Sequence, residues 1–197
     1  MDLETADLPP IDLQPGPALL QGTSAQPPVT ADLTAVGTID WAHWGLTIAA
    51  DFDHRSGGGQ IPDFSKIGNG TPSQFGMFMW GFSWTNGTPH ASATNTMSGV
   101  YLSGAGSGFT LDLPADNAIR VLKLFVADYN CTSRLTAHLS DSSAMDFVDD
   151  LIDSGVGSYR MYTLRYRALS AAHLHVVWQA IAGTGNVTLE AATLSGE

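Results

Sequence analysis

The chain of 197 residues contains a single cysteine, Cys131. That excludes an internal disulfide framework and a cysteine-based structural zinc site, and leaves Cys131 as an expected small, buried apolar side chain. Glutamate is nearly absent: Glu4, Glu190 and Glu197 are the only three, so a Glu–Glu pair for glycoside hydrolysis is not expected. Bases are scarce, with 8 Lys and Arg against 19 Asp and Glu and a formal net charge of −11. Nucleic-acid binding by bulk electrostatics is therefore not expected. No apolar run approaches the 18 or more residues of a membrane span, so no membrane insertion is expected. The opening Met1-Asp2-Leu3-Glu4 is acidic where a secretory signal would carry a basic region and an apolar stretch. A Gly-x-Ser-x-Gly elbow, a Walker loop, His-Glu-x-x-His and a dinucleotide fingerprint are all missing. The expectation is a non-enzyme without catalytic residues, cofactor or bound metal, although an Asp pair remains open on composition alone.

What is plentiful is glycine, 21 residues, beside only 14% charged residues, a balance suited to short strands and tight turns. The length fits one domain, able to bury roughly 70% of its unfolded surface. Period-two alternation recurs. Leu135, Ala137 and Leu139 alternate with Thr136, His138 and Ser140; Tyr162, Leu164 and Tyr166 with Thr163, Arg165 and Arg167; Leu174, Val176 and Trp178 with His173, His175 and Gln179. Each segment reads as a strand with one buried face. Further strands are expected near 29–36, 45–49, 75–84, 91–97, 99–103, 109–113, 119–127, 145–152 and 187–194. Between them stand turn signals such as Gly57-Gly58-Gly59 and Asn86-Gly87. The predicted fold class is all-β, a two-sheet antiparallel β-sandwich of jelly-roll type, over residues 29–197.

Residues 1–28 read differently. Pro9-Pro10, Pro15, Pro17 and Pro27-Pro28 interrupt any helix or central strand, and Asp2, Glu4, Asp7 and Asp12 are unbalanced by a base. Extended, such an arm reaches on the order of 90 Å at ~3.1 Å per residue. Leu3, Leu8, Ile11 and Leu13 are its apolar pegs, too few to offset ordering costs of about 1–2 kcal/mol per residue unless other chains cover them. This points to an assembly arm. The expected partners are other protein subunits in a homo-oligomeric or larger assembly. A phage-like or virus-like particle is the architecture that fits, with the chain as a cement, decoration or spike protein on the virion surface.

Three clusters could carry recognition. Asp40, Trp41, His43 and Trp44 place two indoles beside a carboxylate and an imidazole; they form either a stacking platform for a sugar or a plug at the sandwich end. Phe78, Trp80, Phe82 and Trp84 alternate onto one side with Met77 and Met79 on the other, as core or as a groove. Arg165, Arg167, His173 and His175 form an expected basic face for an acidic neighbour. His173 and His175, with His138 near by, are alternatively ligands for a transition metal. The acidic stretches Asp51 to His54 and Asp146 to Asp153 lack the spacing of a dedicated calcium loop.

Residues 37–45, together with 108–116 and 185–194, resemble a galactose-binding-like jelly-roll module attached to bacterial extracellular carbohydrate-active proteins. The resemblance spans about 32–194. It implies a module that holds a sugar or another partner without transforming it, and hence a carbohydrate-binding alternative in which the partner is a cell-surface polysaccharide.

Overall fold

The computed structural model describes residues 16–77 and 79–197. Leu3, Leu8, Ile11, Leu13 and Phe78 lie outside them. Among the described residues the strands are β1 (Leu19–Ala25), β2 (Thr30–Asp32), β3 (Asp40–Trp44), β4 (Phe52–Arg55), β5 (Ser65–Ile67), β6 (Ser73–Phe75), β7 (Gly81–Trp84), β8 (Gly87–Thr88), β9 (Ala93–Thr96), β10 (Gly99–Ser103), β11 (Gly108–Ala115), β12 (Arg120–Leu139), β13 (Phe147–Ile152), β14 (Ser158–Arg167) and β15 (Ala172–Gly196), with a helical turn, α1 (Leu33–Val36). The fold is an antiparallel β-sandwich, as the alternation predicts.

Two long strands build both layers. The first half of β12 pairs with β14 and with the second half of β15; the second half of β12 pairs with β13 and with the first half of β15. Both strands therefore cross from one layer to the other. The crossing is marked by register shifts around Tyr129, Cys131 and Ser133, with Asn130 and Gly183 at positive φ (50° and 96°). Bulges of this kind bend a strand and raise its twist. A Cβ on Gly183 would meet the Cys131 backbone, so glycine is required there sterically as well as conformationally. One layer runs β1-β14-β12-β15 and continues into β3-β4-β8 and β10-β6; the other holds β5-β11-β15-β12-β13.

The main core fills the space between the layers. Tyr162, Leu164 and Tyr166 from one layer and Leu174, Val176 and Trp178 from the other are all buried, the face the alternation marks. Tyr162 and Trp178 meet with ring centroids 6.0 Å apart, and the Tyr166 hydroxyl donates across the layers to Pro114 O. Cys131 is buried here and burial pushes its thiol up to about 11. A second core lies outside the first layer, where the small sheet β2-β7-β9 and α1 cover it. Leu33, Phe82 and Trp84 pack there on Trp41, Phe125 and Ala191. Phe82 and Trp84 are thus core, while Met77 and Met79, which lie between β6 and β7, are exposed.

Three segments differ from expectation. The strand expected over 75–84 is divided between β6, which ends at Phe75, and β7, which begins at Gly81. Residues 33–36 form a helical turn because the Asp32 carboxylate caps it, accepting from the Thr34 and Ala35 N–H groups. Residues 45–49 are a turn closed by Asp51, which accepts from the Thr47 and Ile48 N–H groups; the strand is instead β3, just before it.

The larger correction concerns the boundary between arm and sandwich. Residues 19–25, placed by sequence in the arm, are strand β1, paired along its whole length with β14. Proline at 17 and at 27–28 delimits the segment without entering it. The Arg167 guanidinium also donates to Pro17 O, and Gly22 lies under the Phe147 ring, where a Cβ would clash. Deleting residues 1–28 is therefore expected to lower the melting temperature by roughly 4–8 °C, about 2 kcal/mol for a chain of this size. Thermal unfolding followed by circular dichroism checks it; an unchanged midpoint would place β1 outside the cooperative unit.

Candidate functional site

The Asp40, Trp41, His43, Trp44 cluster is not a sugar platform. All four residues are on β3 and fully buried, and a strand sends alternate side chains to opposite faces. Trp44 enters the main core, stacked on Phe52 at 5.9 Å with its indole N–H donating to Asp63 (2.9 Å). Trp41 enters the second core against Trp84 at 5.5 Å. His43 is wedged between Phe82 and Trp84, and burial drives its imidazole down to about 3. The Asp40 Oδ2 atom accepts from three successive N–H groups, those of Gly59, Gln60 and Ile61, so it anchors the triple-glycine loop. One pocket would need all four on a single face.

The expected basic face is likewise divided. Arg165 and Arg167 project outward from β14, whereas His173 and His175 project outward from the first half of β15 in the opposite layer. Their outer faces point in opposite directions. Charge is also locally compensated: Arg165 makes a two-pronged pair with Glu197, and His175 meets Asp112 at 2.7 Å. The acidic stretches are committed to structure in the same way. The Asp53 carboxylate accepts from the His90 N–H, Asp149 accepts from the Tyr162 hydroxyl and Asp150 pairs with Arg134.

A cleft of about 350 Å³ does open on the outer face of the first layer, within the roughly 300–1,000 Å³ range of small-molecule sites. It crosses neighbouring strands at their outward positions. Tyr159 comes from β14, Tyr129 from β12, Asn186 from β15, Tyr101 from β10 and Phe75 from β6, with Met77 on the rim. Each is outward because its strand neighbours face the core: Val100 and Leu102 flank Tyr101, and Val187 follows Asn186. The Phe75 and Tyr101 rings meet edge-on at 6.4 Å, and Tyr159 stands edge-on to Trp80 at 4.5 Å, which fixes two walls. Tyr129 is 50% exposed and presents a ring to solvent. Burial, helped by Glu190 and Asp153, pushes the Tyr159 hydroxyl up, so it stays a neutral donor and acceptor. The combination is three phenol rings and one amide in a concave apolar setting.

Sequence reasoning missed this cleft. Phe75 and Asn186 alone are 111 residues apart in sequence, and each member by itself is an ordinary outward residue of a strand. The signal that could have found them was already in the alternation: Tyr101 and Tyr159 are large aromatics at positions where the strand pattern calls for a wet face.

No family model matches the chain, and no curated protein matches it in sequence. Solved structures match its shape. The chain is similar to the enzymatically active domain of bacteriophage CBA120 tailspike protein 4, at 10% identity and a TM-score of 0.43 over 68% of this chain and 19% of that one. It is similar to the module TmCBM61 in complex with β-1,4-galactotriose, at 10% identity and 0.42 over 71% and 92%. A third is carbohydrate-binding module CBM36 with calcium and xylotriose, at 9% identity and 0.36 over 68% and 100%. The chain spans only 19% of the tailspike chain and 26% of a Clostridium thermocellum xylanase 10B chain that it also matches. At such identities and TM-scores the matches carry nothing of those proteins' roles to this chain.

Proposed function

We propose that the chain is a non-catalytic carbohydrate-binding module whose ligand lies in the cleft between Tyr101, Tyr129 and Tyr159. The observation that carries this reading is the convergence of three tyrosine rings and the Asn186 amide at the outward positions of adjacent strands. The C–H face of a pyranose is apolar and stacks on such rings, while phenol hydroxyls and an amide supply the donors and acceptors that a sugar's hydroxyls need. A neutral glycan also suits a chain of net charge −11, because it carries no charge to be repelled. In a cell-surface setting the ligand is a polysaccharide.

Calorimetry against a panel of neutral oligosaccharides tests the reading. Tyr129→Ala and Tyr101→Ala are each expected to weaken binding at least tenfold, about 1.4 kcal/mol, with unfolding midpoints close to wild type. Binding that survives both replacements would place the site elsewhere.

A structural role in a phage-like or virus-like particle is the second reading. It is favoured by apolar side chains left exposed among the described residues: Met77, Met79, Val148 and Ile152, a pattern that suits contact with other subunits. Co-purification of the chain with intact particles, lost when residues 1–18 are removed, is the result this reading requires.

A further inference from the structure

On the outer face of the second layer, four side chains form a row across adjacent strands. Asp112 of β11 lies opposite His175 of β15, and His175 lies opposite His138 of β12. Asp146, just before β13, closes the row. Asp112 Oδ1 and His175 Nδ1 are 2.7 Å apart, and Asp146 Oδ1 and His138 Nδ1 are 2.6 Å apart. The order across the sheet is therefore carboxylate, imidazole, imidazole, carboxylate.

That order fixes the chemistry of both rings. An ionised carboxylate only accepts hydrogen bonds, so each Nδ1 must carry the proton it donates, and in the neutral imidazole the lone pair is then on Nε2. The two carboxylates flank the pair from outside, on β11 and ahead of β13. Each Nδ1 is thus held by its own outer carboxylate, and the Nε2 lone pair of each ring takes no part in those bonds. Directly opposed cross-strand residues have Cβ atoms about 4.5–5.5 Å apart, a separation one metal ion can bridge. Both imidazoles are accessible, with side chains 37% and 43% exposed. An outer carboxylate that holds Nδ1–H, sets the tautomer and raises the basicity of Nε2 is the usual support of a metal-binding histidine.

We propose that His138 and His175 bind a divalent late-transition-metal ion through their Nε2 atoms, with Asp146 and Asp112 as the outer partners that orient them. Imidazole pairs select copper, nickel and zinc over magnesium and calcium, with copper the tightest. Among the described residues no three His, Cys, Asp or Glu side chains converge on one point. The site therefore has two protein ligands, and solvent or a donor from a bound partner completes it. His173 follows the same face of β15 but is displaced by two residues, ~6.6 Å along the strand, and its neighbourhood is Ser140, whose hydroxyl accepts from the His173 N–H. It is not a ligand in this arrangement.

Tag-free full-length protein titrated with Cu²⁺ and Zn²⁺ by calorimetry, with Cu²⁺ electron paramagnetic resonance, tests the assignment. The expected result is one ion per site, with hyperfine coupling to two imidazole nitrogens. His138→Gln and His175→Gln should each remove tight binding, and His173→Gln should leave it unchanged. Asp112→Asn and Asp146→Asn keep both ligands and should weaken binding about 10–100-fold, a loss that non-specific surface binding would not show. Equal affinity in wild type and the His138→Gln/His175→Gln double variant would overturn the proposal, as would binding that depends on His173.

Discussion

Replacing Trp178 with alanine is expected to cost about 3–5 kcal/mol, the range for an aromatic side chain lost from a packed core. Trp178 is 1% exposed and sits where both layers meet. Its ring packs against Tyr162 of the opposite layer, and its indole N–H donates to Thr188 O at 3.0 Å. That bond ties the first half of β15 to the second half of the same strand, across the crossing between layers. Alanine leaves a cavity and also strips the Thr188 carbonyl of a buried donor, a group worth about 1–3 kcal/mol when left unpaired. Urea unfolding measures the loss. A change below about 1 kcal/mol would mean that the two layers do not pack through this residue.

Glu190→Met is expected to stabilise the protein at neutral pH, by roughly 1–4 kcal/mol on the scale of buried charges replaced by apolar groups. Glu190 is the extra residue of a bulge: Phe125 pairs with Ala191 and Val126 with Leu189, so Glu190 has no partner across the ladder. Its carboxyl is fully buried and neither oxygen makes a well-formed hydrogen bond; the Thr188 hydroxyl and its own backbone N–H only partly offset the burial. Desolvation raises its pKa well above the usual carboxylate value of 4.5. A carboxyl with a raised folded-state pKa contributes fully below its unfolded value, and that contribution is lost as pH rises through the folded one. Asp128, pushed by burial up to about 6, acts in the same sense between its ordinary 3.8 and that value. His43 acts in the opposite sense. Buried neutral with a value of about 3, it stabilises above 6.5 and loses that contribution as pH falls. Unfolding free energies at pH 4.5, 6 and 8 separate these effects. The gain from Glu190→Met should be largest at pH 8 and shrink toward pH 4.5; a gain independent of pH would mean that Glu190 ionises in the folded protein as readily as in the unfolded one.

Alternation was a sound guide wherever a strand has one wet face. The burial of Tyr162, Leu164, Tyr166, Leu174, Val176 and Trp178 follows from period two, because a strand covered on one side must place every second residue inside. The same reasoning failed where both faces are covered. Residues 40–44 are all buried, so they carry no alternation, and an aromatic pair beside an aspartate and a histidine looked like a site. Strand β1 was misread for a different reason. Its partner β14 lies more than a hundred residues downstream, and nothing local in 19–25 announces an edge strand beyond the absence of proline.

The sequence by itself determined the class of fold, since glycine-rich turns, scarce charge and repeated period-two segments admit a sandwich and little else. It also determined that Cys131 stands alone and that glutamate is confined to residues 4, 190 and 197. The tertiary structure decided which outward residues share a surface. Tyr101, Tyr129 and Tyr159 meet because β12 and β15 pass from one layer to the other and bring β10 and β14 to either side of them. Arg165 and His175, similar in the sequence, are separated because their strands lie in opposite layers. The physical reason is that alternation is a property of one chain segment, whereas a site is a property of strand order, and strand order is set by the pairing of segments far apart in sequence.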